Sequence, residues 1–184
     1  MFEYLADRYE VHHLGIDHLG ARIDGRWTLH PTAGASDVDG CAAIAALAPV
    51  LCPAVVLVTN DLWKVGPAVE AARRWAGDAR LVVSSPVDGE IIQPSLVGLL
   101  QDVACLAVYT DVASATVANA AKAHFGPGAA RLLPRIRVMA HGVDTSVFRP
   151  LDGRSRAHSR LLARQRLYPE RPRCGTASSS STRT

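Results

Sequence analysis

Short, nearly continuous apolar runs recur along the first 140 residues, each followed by a stretch of helical character. Residues 54–59 (AVVLVT) form the clearest run. A strand apolar at almost every position belongs in a sheet covered on both faces. Residues 80–84 (RLVVS), 104–109 (ACLAVY) and 136–140 (IRVMA) repeat the signal, and 10–16 (EVHHLGI) opens the series. A further short strand is expected around 27–30. Residues 39–48, 66–76, 94–102 and 111–125 read as the intervening helices. Asp37 or Asp39 is placed to cap the first, and Thr110 or Asp111 the last. Gly126-Pro127-Gly128 stops the last helix. Strand–helix alternation of this kind predicts an α/β fold, a Rossmann-like open doubly wound parallel sheet with five buried strands.

The chain has 184 residues, 48% hydrophobic and 20% charged, which suits one globular domain with or without a tail. No run approaches the ~18 apolar residues of a membrane span. The N-terminus carries Glu3 and Asp7 where a secretory signal would be basic and then apolar. The expected location is therefore the cytoplasm, extending to peripheral contact with the inner membrane face. Cys41, Cys52, Cys105 and Cys174 make no CxxC pair, and the first three sit in apolar surroundings as small hydrophobes. Charge is unevenly spread. Residues 151–184 hold eight arginines against Asp152 and Glu170, a balance of +6, so the net +3 leaves −3 on the first 150 residues. A basic tail on an acidic body suits an anionic surface. Tyr168 is its only aromatic, so nucleic acid is not an expected partner.

In open α/β sheets ligands bind beyond the carboxyl ends of the strands. The residues expected there are Asn60 and Asp61, then Ser85, Pro86, Val87, Asp88, Gly89 and Glu90, then Thr110 and Asp111, then His141, Gly142 and Asp144. Asp61 and Asp111 divide evenly between a binding role and helix capping. Asp88 and Glu90 on one loop suit hydrogen bonds to sugar hydroxyls or general-base work, against a plain solvated turn. Asp37-Val38-Asp39 is a DxD, which in some settings holds a divalent cation, but helix capping is the favoured reading here. His12 and His13 are adjacent in a strand and point to opposite faces, so they do not chelate one ion together even with His18 and His30 nearby. No metal site is expected. GxSxG, P-loop and GxGxxG motifs are all missing from the sequence, which leaves hydrolase, NTPase and dinucleotide readings without support.

The most specific stretch is His141-Gly142-Val143-Asp144-Thr145-Ser146-Val147-Phe148-Arg149-Pro150. It resembles the (N/H)GVDxxxFxP segment of family 4 glycosyltransferases of the GT-B fold, where it follows the last main strand of the N-terminal domain. Asn60-Asp61, Val87-Asp88-Gly89 and Val108-Tyr109-Thr110 agree with that family in order, over roughly residues 9–168. The resemblance implies sugar transfer from a nucleotide-sugar co-substrate to a sugar, lipid or protein acceptor, with no cofactor and no bound metal. It makes residues 1–150 the acceptor-side domain and 151–184 a linker helix with a disordered basic Ser/Arg-rich tail. Asp88 falls where relatives carry a His-Asp pair near the reacting sugar, and is the catalytic candidate. Asn60, Asp61, Ser85, Glu90, His141, Gly142 and Asp144 are the substrate-binding candidates.

The sequence departs from that family at both ends. Residues 1–9 resemble the end of the helix after the family's first strand, so the first βα unit is expected to be missing. Past Pro150 nothing matches the donor-binding domain, and most of the donor site is expected to be absent. The string 176–184 (TASSSSTRT) admits, in another frame, a strand like the opening of that domain, and a frameshift near residues 170–175 is the expected cause. The fragment is expected to be inactive alone and poorly soluble. The alternative is a non-catalytic carbohydrate- or partner-binding module whose arginine tail anchors it to anionic surfaces.

Overall fold

The structure is a computed structural model and describes residues 2–142 and Thr145. Met1–His141 form one compact unit and Gly142–Thr184 a second. The expectations that fall on Asp144 and on 146–184 lie outside the described residues. Of the second unit, Gly142 and Thr145 are described, and both are exposed.

The first unit is α/β, and all its paired strands are parallel. After a four-residue helix α1 (Phe2–Leu5), strand β1 (His12–Gly15) pairs with β2 (Thr28–Pro31). Helix α2 (Cys41–Leu51) leads to β3 (Val55–Thr59), α3 (Val65–Trp75), β4 (Arg80–Ser84), a 3-10 helix (Pro94–Leu100), β5 (Cys105–Val108) and α4 (Asp111–Phe125). Two 3-10 turns, Gly126–Arg131 and Leu133–Arg135, bring the chain to β6 (Ile136–Val138). The strands form two sheets, one of β1-β2 and one in the order β3-β4-β5-β6.

That division corrects the expected single five-stranded sheet. The run at 10–16 forms a strand, but it pairs with 28–31 in a ribbon of its own. The ribbon's sequence explains why a separate sheet suffices. His12, His13, Thr28 and His30 give it polar and aromatic contacts in place of two apolar faces, and of its first strand only Gly15 is fully buried. The four-stranded sheet is different in kind. Val56, Val58, Leu81, Val83, Leu106, Val108 and Ile136 share one face by register. Onto that face pack Val65, Val69 and Ala72 of α3, Val97 and Leu100 of the 3-10 helix, and Ala113, Val117, Ala120 and Ala121 of α4.

A sheet whose strands follow each other in sequence places every right-handed crossover on the same side. One core on one face is the result, where a doubly wound sheet was expected. On the opposite face Val55 is 54% and Leu57 40% exposed, with Val82 and Cys105 half-buried. So 54–59 is not the strand buried on both faces that its composition suggests. It is an edge strand, and composition alone does not distinguish edge from centre.

Local chemistry fixes the helix ends. Gly40 precedes α2 with φ 70°, and a Cβ there would lie 2.8 Å from Ile16 Cδ1, so a side chain at this position is strained. The 94–102 segment is a 3-10 helix instead of a regular one. It carries Pro at its start and Gly98 within, and a Cβ on Gly98 would lie 3.0 Å from His124 Nε2 on α4. Among the described residues no helix is long and apolar enough to cross a membrane.

Candidate functional site

Because β3 to β6 are parallel and adjacent, their carboxyl ends share one edge of the sheet. Hydrogen bonds beyond the strand ends keep the departing chains in register. The Asn60 amide donates to Ser84 O at 3.2 Å, Ser85 N to Ala107 O at 3.0 Å, and Met139 N to Val108 O at 2.7 Å. Asn60, Ser85, Tyr109 and His141 therefore leave the sheet side by side.

Asn60 is exposed, and its Oδ1 accepts from the Asp61 amide at 2.9 Å. The Asp61 carbonyl accepts from Lys64 N at 2.8 Å and Val65 N at 3.1 Å, opening α3. The helix is capped by Lys64 with no side-chain acceptor, so the Asp61 carboxylate is not its cap. Asp111 is likewise the first helical residue, and Thr110 is the cap, its Oγ1 accepting from Ala113 N at 3.0 Å. Ser85 is fully buried, and its Oγ has no hydrogen-bond partner. Three residues further along the same loop the chain reaches solvent. Asp88 and Glu90 are exposed, with no ion pair or hydrogen bond to any described residue. The loop therefore joins a buried unpaired hydroxyl to two solvated carboxylates.

His141 sits at the end of the edge and stacks on Tyr109, ring centroids 3.6 Å apart and tilted by 47°. In the sequence Tyr109 reads only as part of a strand ending. The structure makes it the aromatic neighbour of His141. Apolar side chains near the same loops were also missed. Trp63 is 64% exposed, with Lys64 Nζ 4.5 Å over its ring, while Ile92 is 90% and Val112 76% exposed. An aromatic residue four positions after the apolar run ending at Thr59 was the available signal for Trp63.

Other sequence candidates have different roles. Asp37 of the DxD accepts from Ala42 N at 2.9 Å, Ala43 N at 3.0 Å and Ala33 N at 3.1 Å, and so caps α2 from outside. Burial pushes its pKa up, but the backbone amides of Ala42, Ala33, Ala43 and Cys41 together outweigh this and hold it below the ordinary carboxylate value. His12 and His13 point to opposite sides of the ribbon, as adjacent strand residues must. His12 meets His30, and His13 lies against the rings of Phe2 and Trp27, which also touch each other. Among the described residues no three His, Cys, Asp or Glu side chains are grouped to hold a metal ion. Cys41, Cys52 and Cys105 are free. Cys52 differs from expectation because it is exposed, in a left-handed conformation after α2, with its Sγ 3.3 Å from Pro49 O.

A shallow cavity of about 360 Å³ opens at the opposite edge, where Arg73, Gly77, Arg80 and Asp102 surround the amino ends of the central strands. It contains none of the sequence candidates. The arrangement at the carboxyl edge is an open shelf with two free carboxylates, a stacked Tyr–His pair and an exposed Trp. Carboxylates and aromatic faces of this kind suit polyhydroxylated ligands, with hydrogen bonds fixing orientation and ring faces supplying contact area. Comparison with known proteins returns no match, whether to a family model, a curated protein or a solved structure.

Proposed function

We propose that this chain provides the acceptor side of a nucleotide-sugar-dependent glycosyltransferase with a GT-B-like architecture. One observation carries the reading most. The His141-Gly142 dipeptide, which opens the stretch resembling family 4 enzymes, is separated by two residues from the last strand of a parallel sheet, at the edge where ligands of such sheets bind. In this reading the Asp88 carboxylate accepts the proton of the acceptor hydroxyl, whose oxygen then bonds to the anomeric carbon as the nucleoside diphosphate departs. Glu90, Asn60, Asp61 and His141 orient the acceptor. The donor nucleotide sugar is held by a second domain, and the reacting groups come into register only when both close on them. No metal takes part.

The test is a titration of the isotope-labelled chain with oligosaccharides and with nucleotide sugars, read by amide shifts. Acceptor sugars should move the resonances around Asp88, Tyr109 and His141, and Asp88→Asn should weaken that binding about tenfold, the loss of one charged hydrogen bond. Sugar transfer should be negligible without a donor-binding domain. Shifts confined to the cavity around Arg73 and Arg80, or rapid transfer by the chain alone, would sink the proposal. Sugar binding that never yields transfer when a donor domain is supplied, together with binding to anionic vesicles that needs residues 151–184, would favour the binding-module reading.

A further inference from the structure

The β1–β2 ribbon carries a histidine pair unrelated to the carboxyl-edge shelf. His12 Nδ1 and His30 Nε2 are 2.9 Å apart, on the ribbon face set by the pairing of Leu14 with His30. The other nitrogen of His12, Nε2, is 3.1 Å from Glu10 Oε1. A carboxylate only accepts, so His12 Nε2 carries a proton. The gap between the two imidazoles then holds a single proton. Either His30 donates to a neutral His12, or a charged His12 donates to His30. The bond survives while the pair carries at most one positive charge, and only a second charge, with both rings protonated on both nitrogens, sets N–H against N–H at hydrogen-bond distance. His30 is 5% exposed, so most of its ring is withdrawn from water.

The charges around the pair are few. Arg22 lies close enough to His30 to oppose a positive charge there and is itself paired with Asp24 at 2.7 Å. Asp24 favours the charge and also accepts from Thr28 Oγ1 at 3.3 Å. His18 is engaged with Ala21 O, and Arg26 pairs with Asp7. Burial first, then His12 and Arg22, hold the His30 pKa below the ordinary value against the pull of Asp24. On the opposite face the His13 pKa is also lowered by burial, with its Nδ1 buried and unpartnered and its ring against Phe2 and Trp27. Acid therefore loads both faces of one two-stranded ribbon. No residue of that ribbon belongs to the apolar cluster that holds the four-stranded sheet.

We propose that the β1–β2 ribbon is an acid-released latch, opened when a second proton enters the His12–His30 pair while the four-stranded sheet stays folded. Opening separates His12–Gly15 from Thr28–Pro31 and frees Leu14 and Ile16 from their contact at Gly40. The sign is fixed. A histidine held below its ordinary value contributes stability above that value and loses it as pH falls through the lowered one.

Amide exchange of the full chain tests the latch, corrected for the intrinsic rate at each pH. Between about pH 8 and about pH 5, protection at 12–15 and 28–30 should fall about tenfold or more relative to 81–83 and 106–108. His30→Gln, which keeps a hydrogen-bonding side chain and removes the titration, should blunt that response. Equal losses in ribbon and sheet, an unchanged ribbon, or a full response in His30→Gln would each overturn the proposal. If His30→Gln does not fold, imidazole nitrogen shifts of the unmodified chain decide. Titration of His30 below that of free N-acetylhistidine amide supports the latch, and titration at the same pH overturns it.

Discussion

The four-stranded sheet and the two-stranded ribbon are held together by opposite means. In the sheet, Val83, Leu106, Val108 and Val117 are wholly buried in one contiguous apolar cluster, and among the described residues no Asp, Glu, Lys or Arg is buried with them. In the ribbon, cohesion comes from a carboxylate–imidazole–imidazole chain on one face and a Phe2–His13–Trp27 aromatic group on the other. Apolar burial is indifferent to pH, whereas imidazole contacts depend on a proton count. The same chain thus contains one region stabilised by exclusion of water and another by the placement of a few protons. Their responses to mutation and to acid should separate accordingly.

The largest separation should come from the core. Leu106→Ala should cost about 2–5 kcal/mol, by loss of burial and by the cavity left behind, lowering the main thermal transition by roughly 5–15 °C. Trp27→Ala, which removes the ring beside Phe2 and His13, should move that transition by less than about 2 °C while abolishing exchange protection in the ribbon. Calorimetry and amide exchange on the same two variants would show both. If Trp27→Ala instead unfolds the sheet, the two regions are one cooperative unit and the contrast fails.

Asp37 stands between the two, gripping Ala33 N on the ribbon side and Ala42 and Ala43 N at the start of α2. Asp37→Ala should cost about 1–2 kcal/mol, as expected for a cap whose loss leaves amides unpaired. Its carboxyl is held below the ordinary value. Its contribution is therefore present above that value and disappears as pH falls through the lowered one. The difference in melting temperature between wild type and Asp37→Ala should consequently shrink in strong acid, well below the range in which the histidines act. Thr110→Ala, removing the cap of α4, should cost about 1 kcal/mol at any pH. The thiols give the smallest effect. Cys52, exposed, should alkylate before Cys41. Burial first, then Asp39, Asp37 and Glu70, push the Cys41 thiol pKa up.

Much of the sheet was legible because buried parallel strands leave unbroken apolar runs. The strands at 55–59, 80–84, 105–108 and 136–138 fall on the runs that announced them. What the runs do not encode is order. Strand neighbours are chosen by crossovers that span dozens of residues, so neither the separate ribbon nor the edge position of β3 could be read from local pattern. The opposition of His12 and His13 was readable from strand periodicity alone, whereas the meeting of His12 with His30 needed the register of two strands distant in sequence. At the carboxyl edge the polar residues were legible as strand-end residues. Their neighbours were not, because the Tyr109–His141 stack depends on β5 lying beside β6.

The edge position of β3 has a consequence at the scale of single amides. Arg80 N donates to Ala54 O and Asn60 N to Ser84 O, so in a parallel ladder Val56 and Val58 bond towards β4 while Val55, Leu57 and Thr59 direct their amides outward. Deuterium should therefore enter this strand in a zebra pattern. The amides of 55, 57 and 59 fill early, and those of 56 and 58 wait for the sheet to open.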